Sequence, residues 1–189
     1  MTKAKKEKKK NSFTEELYDW VETFVTALVA VVLLFTFVLR IVAVDGESMM
    51  KTLEHRDSLV ISGLLPAKRG DIVVFQAIED DYNAPLIKRV IATEGQTVDI
   101  DFNTWTVTVD GEPLDEPYVN YIEGKQMRSG IIQFPYTVEK GRVFVMGDNR
   151  NNSRDSRSFG AIDTRNLMGK VLFRVTPVNK FGKVLPVER

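Results

Sequence analysis

The 189 residues contain no cysteine, which excludes disulfides and thiolate metal sites. A chain without disulfides suits either side of a membrane. Histidine occurs once, at His55, so a serine–histidine–aspartate triad has a single possible centre. Amphipathic helical periodicity is missing beyond residue 45, which argues against alternating βα units in the remainder. Net charge is missing too, with 26 Lys and Arg against 26 Asp and Glu, but its distribution is uneven. Residues 1–10 hold six lysines against one glutamate, a net of +5, so the remainder sums to −5. A nucleic-acid-binding domain would carry its basic surface on the fold itself, so no nucleic-acid partner is expected. The asymmetry suits a basic tail beside an anionic membrane. The acidic run Glu79-Asp80-Asp81 has no histidine near it and reads as a solvated loop, so no metal or cofactor is expected.

What is present begins with a long apolar run. Met1–Asn11 is a solvated lysine tract. Ser12 to Glu15 spells Ser-x-x-Glu, a capping-box start for a helix. Tyr18 and Trp20 suit a membrane interface. Phe24 to Leu39 is sixteen residues without a charge, and Val21–Val44 counts 24 residues, or about 36 Å of helix, against the about 20 residues that a bilayer needs. A cleavable signal sequence has a shorter apolar centre, and Arg40 stands where its cut site would be. A buried helix this apolar is out of place in so small a protein. The run therefore reads as a permanent span, with lysines before it and Asp45 and Glu47 after it placing the N-terminus inside. The expected layout is a basic cytoplasmic segment over 1–20, a transmembrane helix over 21–44 and an extracytoplasmic β-rich catalytic domain over 45–189, with the lipid bilayer as a partner.

The outer part is expected to be mainly β, an antiparallel barrel-like domain. Ser58–Ser62, Asp71–Gln76, Leu86–Ala92, Thr97–Ile100, Thr104–Val109, Arg142–Met146 and Lys170–Val175 are short runs rich in β-branched residues. Gly63, Pro66, Gly70, Pro85 and Gly95 punctuate them, Phe102-Asn103 reads as a tight turn, and Asp110-Gly111 is a strong turn signal. Tyr118 to Ile131 is polar and irregular, a long surface loop.

Three stretches carry candidate chemistry. Ser48 follows the flexible Gly46 directly outside the span; alone it is an ordinary turn residue, and a base nearby would make it a nucleophile. In Leu86-Ile87-Lys88-Arg89-Val90-Ile91 the strand period of two puts Leu86, Lys88 and Val90 on one face. Burial there would disfavour the ammonium ion and leave an amine able to take a proton from a serine. The competing reading sends both Lys88 and Arg89 to water. Gly147-Asp148-Asn149-Arg150-Asn151-Asn152-Ser153-Arg154-Asp155-Ser156-Arg157 follows an apolar strand; Asp155 and Arg157 have the charges to pair, and Ser153 has a hydroxyl for a lysine amine.

Gly46-x-Ser48-Met49, Lys88-Arg89-Val90-Ile91 and the Gly147–Arg157 stretch resemble, in order and spacing, the bacterial type I signal peptidases. Asp110-Gly111-Glu112-Pro113-Leu114 and Glu116-Pro117-Tyr118 are similar to that family too. The single-span layout is similar to its Gram-positive forms. The resemblance implies a membrane-anchored serine endopeptidase that removes signal peptides from exported preproteins after small residues of the Ala-x-Ala type. It implies Ser48 as nucleophile, Lys88 as general base, Ser153 as the group orienting the amine, and Asp155 with Arg157 as a brace. It also implies the Ser48 N–H as an oxyanion donor, with Gly46 standing where some members carry a second, hydroxyl donor. Val44, Met49, Leu53, Leu86 and Ile87 flank these positions and are the candidates for substrate pockets.

The chain departs from the family at Lys51, where proline is usual, and at Ala92, where glycine is usual. Lys51 also makes Ser48-Met49-Met50-Lys51 a Ser-x-x-Lys match to penicillin-recognising enzymes, whose Ser-Asp-Asn and Lys-Thr-Gly partners are incomplete here. Two further rivals are a membrane-tethered β domain that binds exported chains without cutting them and a self-cleaving Ser-Lys regulator. The span and the lack of a DNA-binding segment speak against the regulator.

Overall fold

The computed structural model describes residues 13–76 and 84–184. The lysine tract, Ser12 of the capping box and Glu79-Asp80-Asp81 lie outside the described residues. The chain divides into two compact units after Val38.

The first unit is α1 (Phe13–Leu33), continued by a wider helical turn at Leu34–Val38. None of the α1 residues is buried. Phe13–Thr36 supplies 24 helical residues, long and apolar enough to cross a membrane. The helix is already formed at Phe13, within the expected capping-box stretch, whereas the expected far boundary at Val44 is corrected, because Leu39–Ala43 is not its last turn. Those five residues are strand β1, paired antiparallel with β2 (Ser58–Ser62) from Leu39↔Ser62 to Ala43↔Ser58. Ile41 and Val42 are β-branched and have a partner strand in register, which an apolar count along the sequence does not register. Arg40 is exposed on β1.

The second unit holds two antiparallel sheets. Its remaining elements in chain order are β3 (Ile72–Gln76), β4 (Pro85–Thr93), β5 (Thr97–Asp101), β6 (Thr106–Val109), β7 (Glu112–Pro113), β8 (Tyr136–Thr137), β9 (Arg142–Met146), α2 (Ser156–Phe159), β10 (Ile162–Asp163) and β11 (Leu167–Thr176). The seven-stranded sheet runs β1-β2-β11-β3-β4-β9-β10 and the four-stranded sheet β7-β6-β5-β8. Ile91, Ala92, Phe144 and Met146 of the large sheet share a buried cluster with Val98, Ile100, Val107 and Val109 of the small one. The loop before β8 contributes Met127 to that cluster, so it is anchored in the core as well as lying on the surface.

Turn chemistry sets several boundaries. Asp110 and Gly111 both take positive φ, 55° and 85°, and join β6 to β7, as a two-residue hairpin turn requires. The strand expected from Thr104 starts at Thr106 instead. The Asp101 carboxylate accepts from the Asn103 N–H at 2.9 Å, and Trp105 has φ 64° with its indole N–H donating to the Lys125 carbonyl at 2.7 Å. These contacts hold residues 102–105 in a turn.

Candidate active site

Residues 44–57 form a closed excursion between β1 and β2. The Val44 N–H donates to the Asp57 carbonyl at 2.8 Å and the Arg56 N–H to the Val44 carbonyl at 2.9 Å, extending the hairpin ladder across the loop's base. Gly46 has φ +95°, a conformation that side chains disfavour. A helical turn follows, with the Leu53 N–H donating to the Met49 carbonyl at 2.8 Å. Met49 and Leu53 are 2% and 0% exposed, so they peg this turn into the core and leave Ser48 half-buried beside it.

Lys88 comes from β4, which lies between β3 and β9. Ile87 through Ala92 are all buried, so both faces of this strand are covered and Lys88 is 2% exposed. Strand alternation places Lys88 with Leu86 and Val90, opposite Val73. Its Nζ donates to Ser48 Oγ at 2.8 Å and to the Ile87 carbonyl at 3.0 Å. Burial lowers the amine from its ordinary value of 10.5 to about 8, against the opposing pull of the Asp155 and Asp148 carboxylates.

The third stretch closes over this pair. A Cβ on Gly147 would lie 2.3 Å from Ser153 Oγ and 2.5 Å from the Ser48 carbonyl oxygen, so only glycine admits the approach. The Asn149 N–H donates to the Ser48 carbonyl at 3.0 Å, and Asn149 Nδ2 to the Glu47 carbonyl at 3.1 Å. Asp155 caps α2, accepts the Gly147 N–H at 3.0 Å, and takes both Nε and a terminal nitrogen of Arg157 at 2.8 Å. Burial disfavours the Asp155 carboxylate, but the Arg157 hydrogen bonds and charge outweigh it and hold the group below its ordinary value. Arg157 also donates to the Arg128 and Arg150 carbonyls at 2.8 and 2.7 Å.

A model of the signal peptidase, peptidase S26 family matches residues 17–176. The chain belongs to this family. A protein of Synechocystis sp. named "Probable signal peptidase I-1" is 39% identical over 168 residues, 84% of this chain and 82% of that one. Signal peptidase IB of Staphylococcus aureus is 34% identical over 187 residues, covering 88% and 93% of the two chains. Among solved structures, a signal peptidase I from Enterococcus faecalis V583 aligns with a TM-score of 0.48 at 27% identity, over 56% of this chain and 97% of that one. The signal peptidase I members of the S26 family are serine endopeptidases.

Ser153 and the pocket candidates sit differently from what the resemblance implies, and the competing readings of the lysines do not match the geometry. Ser153 was expected to orient the Lys88 amine. Its Oγ is instead buried against Gly147, near enough to Asp155 to favour that carboxylate's charge, but with no hydrogen-bond partner among the described residues. The amine's other contact is the Ile87 carbonyl at 3.0 Å. The five pocket candidates separate: Val44, Met49, Leu53 and Ile87 are at most 8% exposed within one cluster, while Leu86 is half-buried and packs on the opposite face of the sheet. Lys88 and Arg89 do not reach for water; both are buried. Lys51 is exposed, so the Ser-x-x-Lys match brings no amine to Ser48. His55 is half exposed and meets Asp45 and the Gly46 N–H, not Ser48.

Arg89, Asp148, Glu116 and Tyr118 had no assigned role in the sequence, although all four stand inside the matching motifs. Arg89 Nε and a terminal nitrogen grip both Asp148 oxygens at 2.9 and 2.7 Å, at 1% and 0% side-chain exposure. The Arg89 guanidinium lies 3.9 Å over the Tyr118 ring. Tyr118 donates to Glu116 at 2.9 Å, and Glu116 pairs with the fully buried Arg150 at 2.6 Å. Burial above all pushes the Tyr118 phenol up, so it stays a donor. A charged residue within an apolar strand, opposed in sequence by an acid within an apolar-to-loop junction, was the available signal. Asp148→Ala strands the Arg89 charge and should lower the unfolding free energy of the full chain in detergent by about 3–5 kcal/mol. The double replacement Arg89→Met with Asp148→Leu should recover most of that loss in the same denaturation, and a single-variant change below about 1 kcal/mol would mean the pair is not held in a dry interior.

Proposed function

We propose that this chain is a membrane-anchored signal peptidase I that cuts exported preproteins with a Ser48–Lys88 dyad. The observation that carries this reading is the 2.8 Å contact between Ser48 Oγ and the buried Lys88 amine. A serine hydroxyl is a weak nucleophile until a base removes its proton, and a lysine is a base only when neutral. With the amine of Lys88 lowered to about 8, a minor but usable fraction meets that condition near physiological pH.

In the proposed cycle the neutral amine accepts the Ser48 proton as Oγ attacks the scissile carbonyl. The amine then hands the proton to the departing peptide nitrogen, leaving an ester on Ser48. Water, deprotonated by Lys88, hydrolyses that ester. The Ser48 N–H makes no hydrogen bond among the described residues, which leaves it free to donate to the developing oxyanion. Gly46 shapes the approach to Ser48, and Asp155 with Arg157 holds Gly147 against the Ser48 carbonyl. Leu86, half-buried on the same strand face as Lys88, retains surface for contact with a substrate's small side chains, while Val44, Met49, Leu53 and Ile87 fix the nucleophile loop from the other face. The α1 segment anchors the enzyme as a single span with its N-terminus in the cytoplasm and the catalytic unit outside.

The test is cleavage of a precursor with an alanine-rich cut site by the full chain in detergent. Ser48→Ala and Lys88→Ala should each remove product formation, whereas Lys51→Ala and His55→Ala should leave it intact. Loss of cleavage in Lys51→Ala would instead move the base to Lys51.

Because the reactive form is the deprotonated amine, activity should rise with pH through about 8. On a simple titration about a tenth of Lys88 is neutral at pH 7 and about nine tenths at pH 9. A kcat/KM profile measured over pH 6–10 should show one limb of unit slope below that midpoint. A profile flat across this range would show that no amine with this midpoint limits the reaction.

A further inference from the structure

The Ser48–Lys88 contact joins two elements that are forty residues apart in sequence, and neither fixes the other's position by itself. Met49, Leu53 and Asn149 already hold the Ser48 side of the loop over residues 44–57, and its far side is gripped separately. Thr52 is where that grip converges. Its carbonyl accepts a terminal nitrogen of Arg174, from β11, at 2.6 Å. Its hydroxyl donates to the Asp148 carboxylate and accepts Arg89 at 3.4 Å. Its N–H donates to the Met49 carbonyl at 2.9 Å, one residue from Ser48.

Arg174 holds the same loop at a second point. Its other terminal nitrogen lies 3.1 Å from Asp57, which is 2% exposed and accepts the Glu54 N–H at 3.0 Å. Arg174 Nε is buried and finds no acceptor among the described residues. The guanidinium is thus placed by what it grips, at the expense of satisfying its own third donor. The backbone of Arg174 is in turn bridged to Gly182 in both directions, at 2.7 and 3.1 Å, which fixes the strand from which it reaches.

We propose that Arg174 and Thr52 are positioning residues that set Ser48 against Lys88. One side of the clamp runs from β11 through Arg174 to the Thr52 carbonyl. The other runs from the Thr52 hydroxyl through Asp148 to Arg89, the residue next to Lys88 in β4. The nucleophile loop and the strand carrying the base are thereby registered to each other through one threonine. Neither residue touches the reacting atoms, so the clamp acts on the chemical step and not on substrate binding. The inference rests on the reading of Ser48 and Lys88 as nucleophile and base.

The experiment compares kcat, KM and thermal unfolding of the full chain in detergent for wild type, Thr52→Val, Thr52→Ser, Arg174→Met and Arg174→Lys. Thr52→Val keeps shape and removes the hydroxyl; it should lower kcat about tenfold or more with KM nearly constant. Thr52→Ser should restore most of the rate. Arg174→Met should lower kcat similarly. Arg174→Lys keeps the charge near Asp57 without the planar fork, so it should fold even where the methionine variant fails, and it should still be slow. Folded Thr52→Val and Arg174 variants with wild-type kcat would overturn the clamp while leaving the Ser–Lys reading in place. A slow Thr52→Val that serine fails to rescue would also overturn it. A wild type that cleaves no precursor would overturn both.

Discussion

The constraint on which this structure depends is the burial of one amine. Lys88 sits in a strand covered on both faces, with Val73 across from it and Leu86 and Val90 on its own side. A lysine there is out of place at neutral pH. Holding its amine at about 8 in place of 10.5 is worth about 3 kcal/mol against the folded state when the group is charged. The unfolded chain binds more protons than the folded one between those two values, so this penalty eases as pH rises through that window. The fold accepts the strain because the surrounding sheet is long-range and cooperative, and it gains a base in return.

The neighbouring charges keep the amine from being lowered further. Asp155 and Asp148 both favour the ammonium form, yet each carboxylate is already gripped by an arginine, Arg157 or Arg89. The arginine pairs make these buried acids tolerable. The same pairs place Gly147 and Asn149 against the Ser48 carbonyl, so the electrostatics and the geometry of the dyad come from one set of residues.

Much of this was legible in the residues. The strand runs, the Asp110-Gly111 turn and the apolar N-terminal segment follow from local preferences that act over a few positions. Gly46, Ser48, Lys88 and the Gly147–Arg157 stretch stood out because their spacing matched a family pattern. What stayed hidden depends on contacts between distant segments. Leu39–Ala43 continues an apolar run, and only its pairing with Ser58–Ser62 makes it a strand. Alternation predicted one buried face for β4; the second is covered by the cluster around Ile72, Val74 and Ile87, which no window along the sequence contains. Arg89 looked like a residue bound for water because its partner Asp148 lies fifty-nine positions away. The resemblance puts Ser153 beside the amine, but the amine's contacts are Ser48 Oγ and the Ile87 carbonyl, which sequence spacing does not reveal.

Burial brings the Lys88 amine down to about 8, so that a usable fraction is neutral near physiological pH, and this can be tested without any substrate. The full chain, labelled at the lysine side-chain carbons and held in detergent micelles, is titrated by NMR, with Lys88→Met used to assign the resonance. The account predicts a Lys88 midpoint near 8. A Lys88 midpoint near the ordinary 10.5 would contradict it.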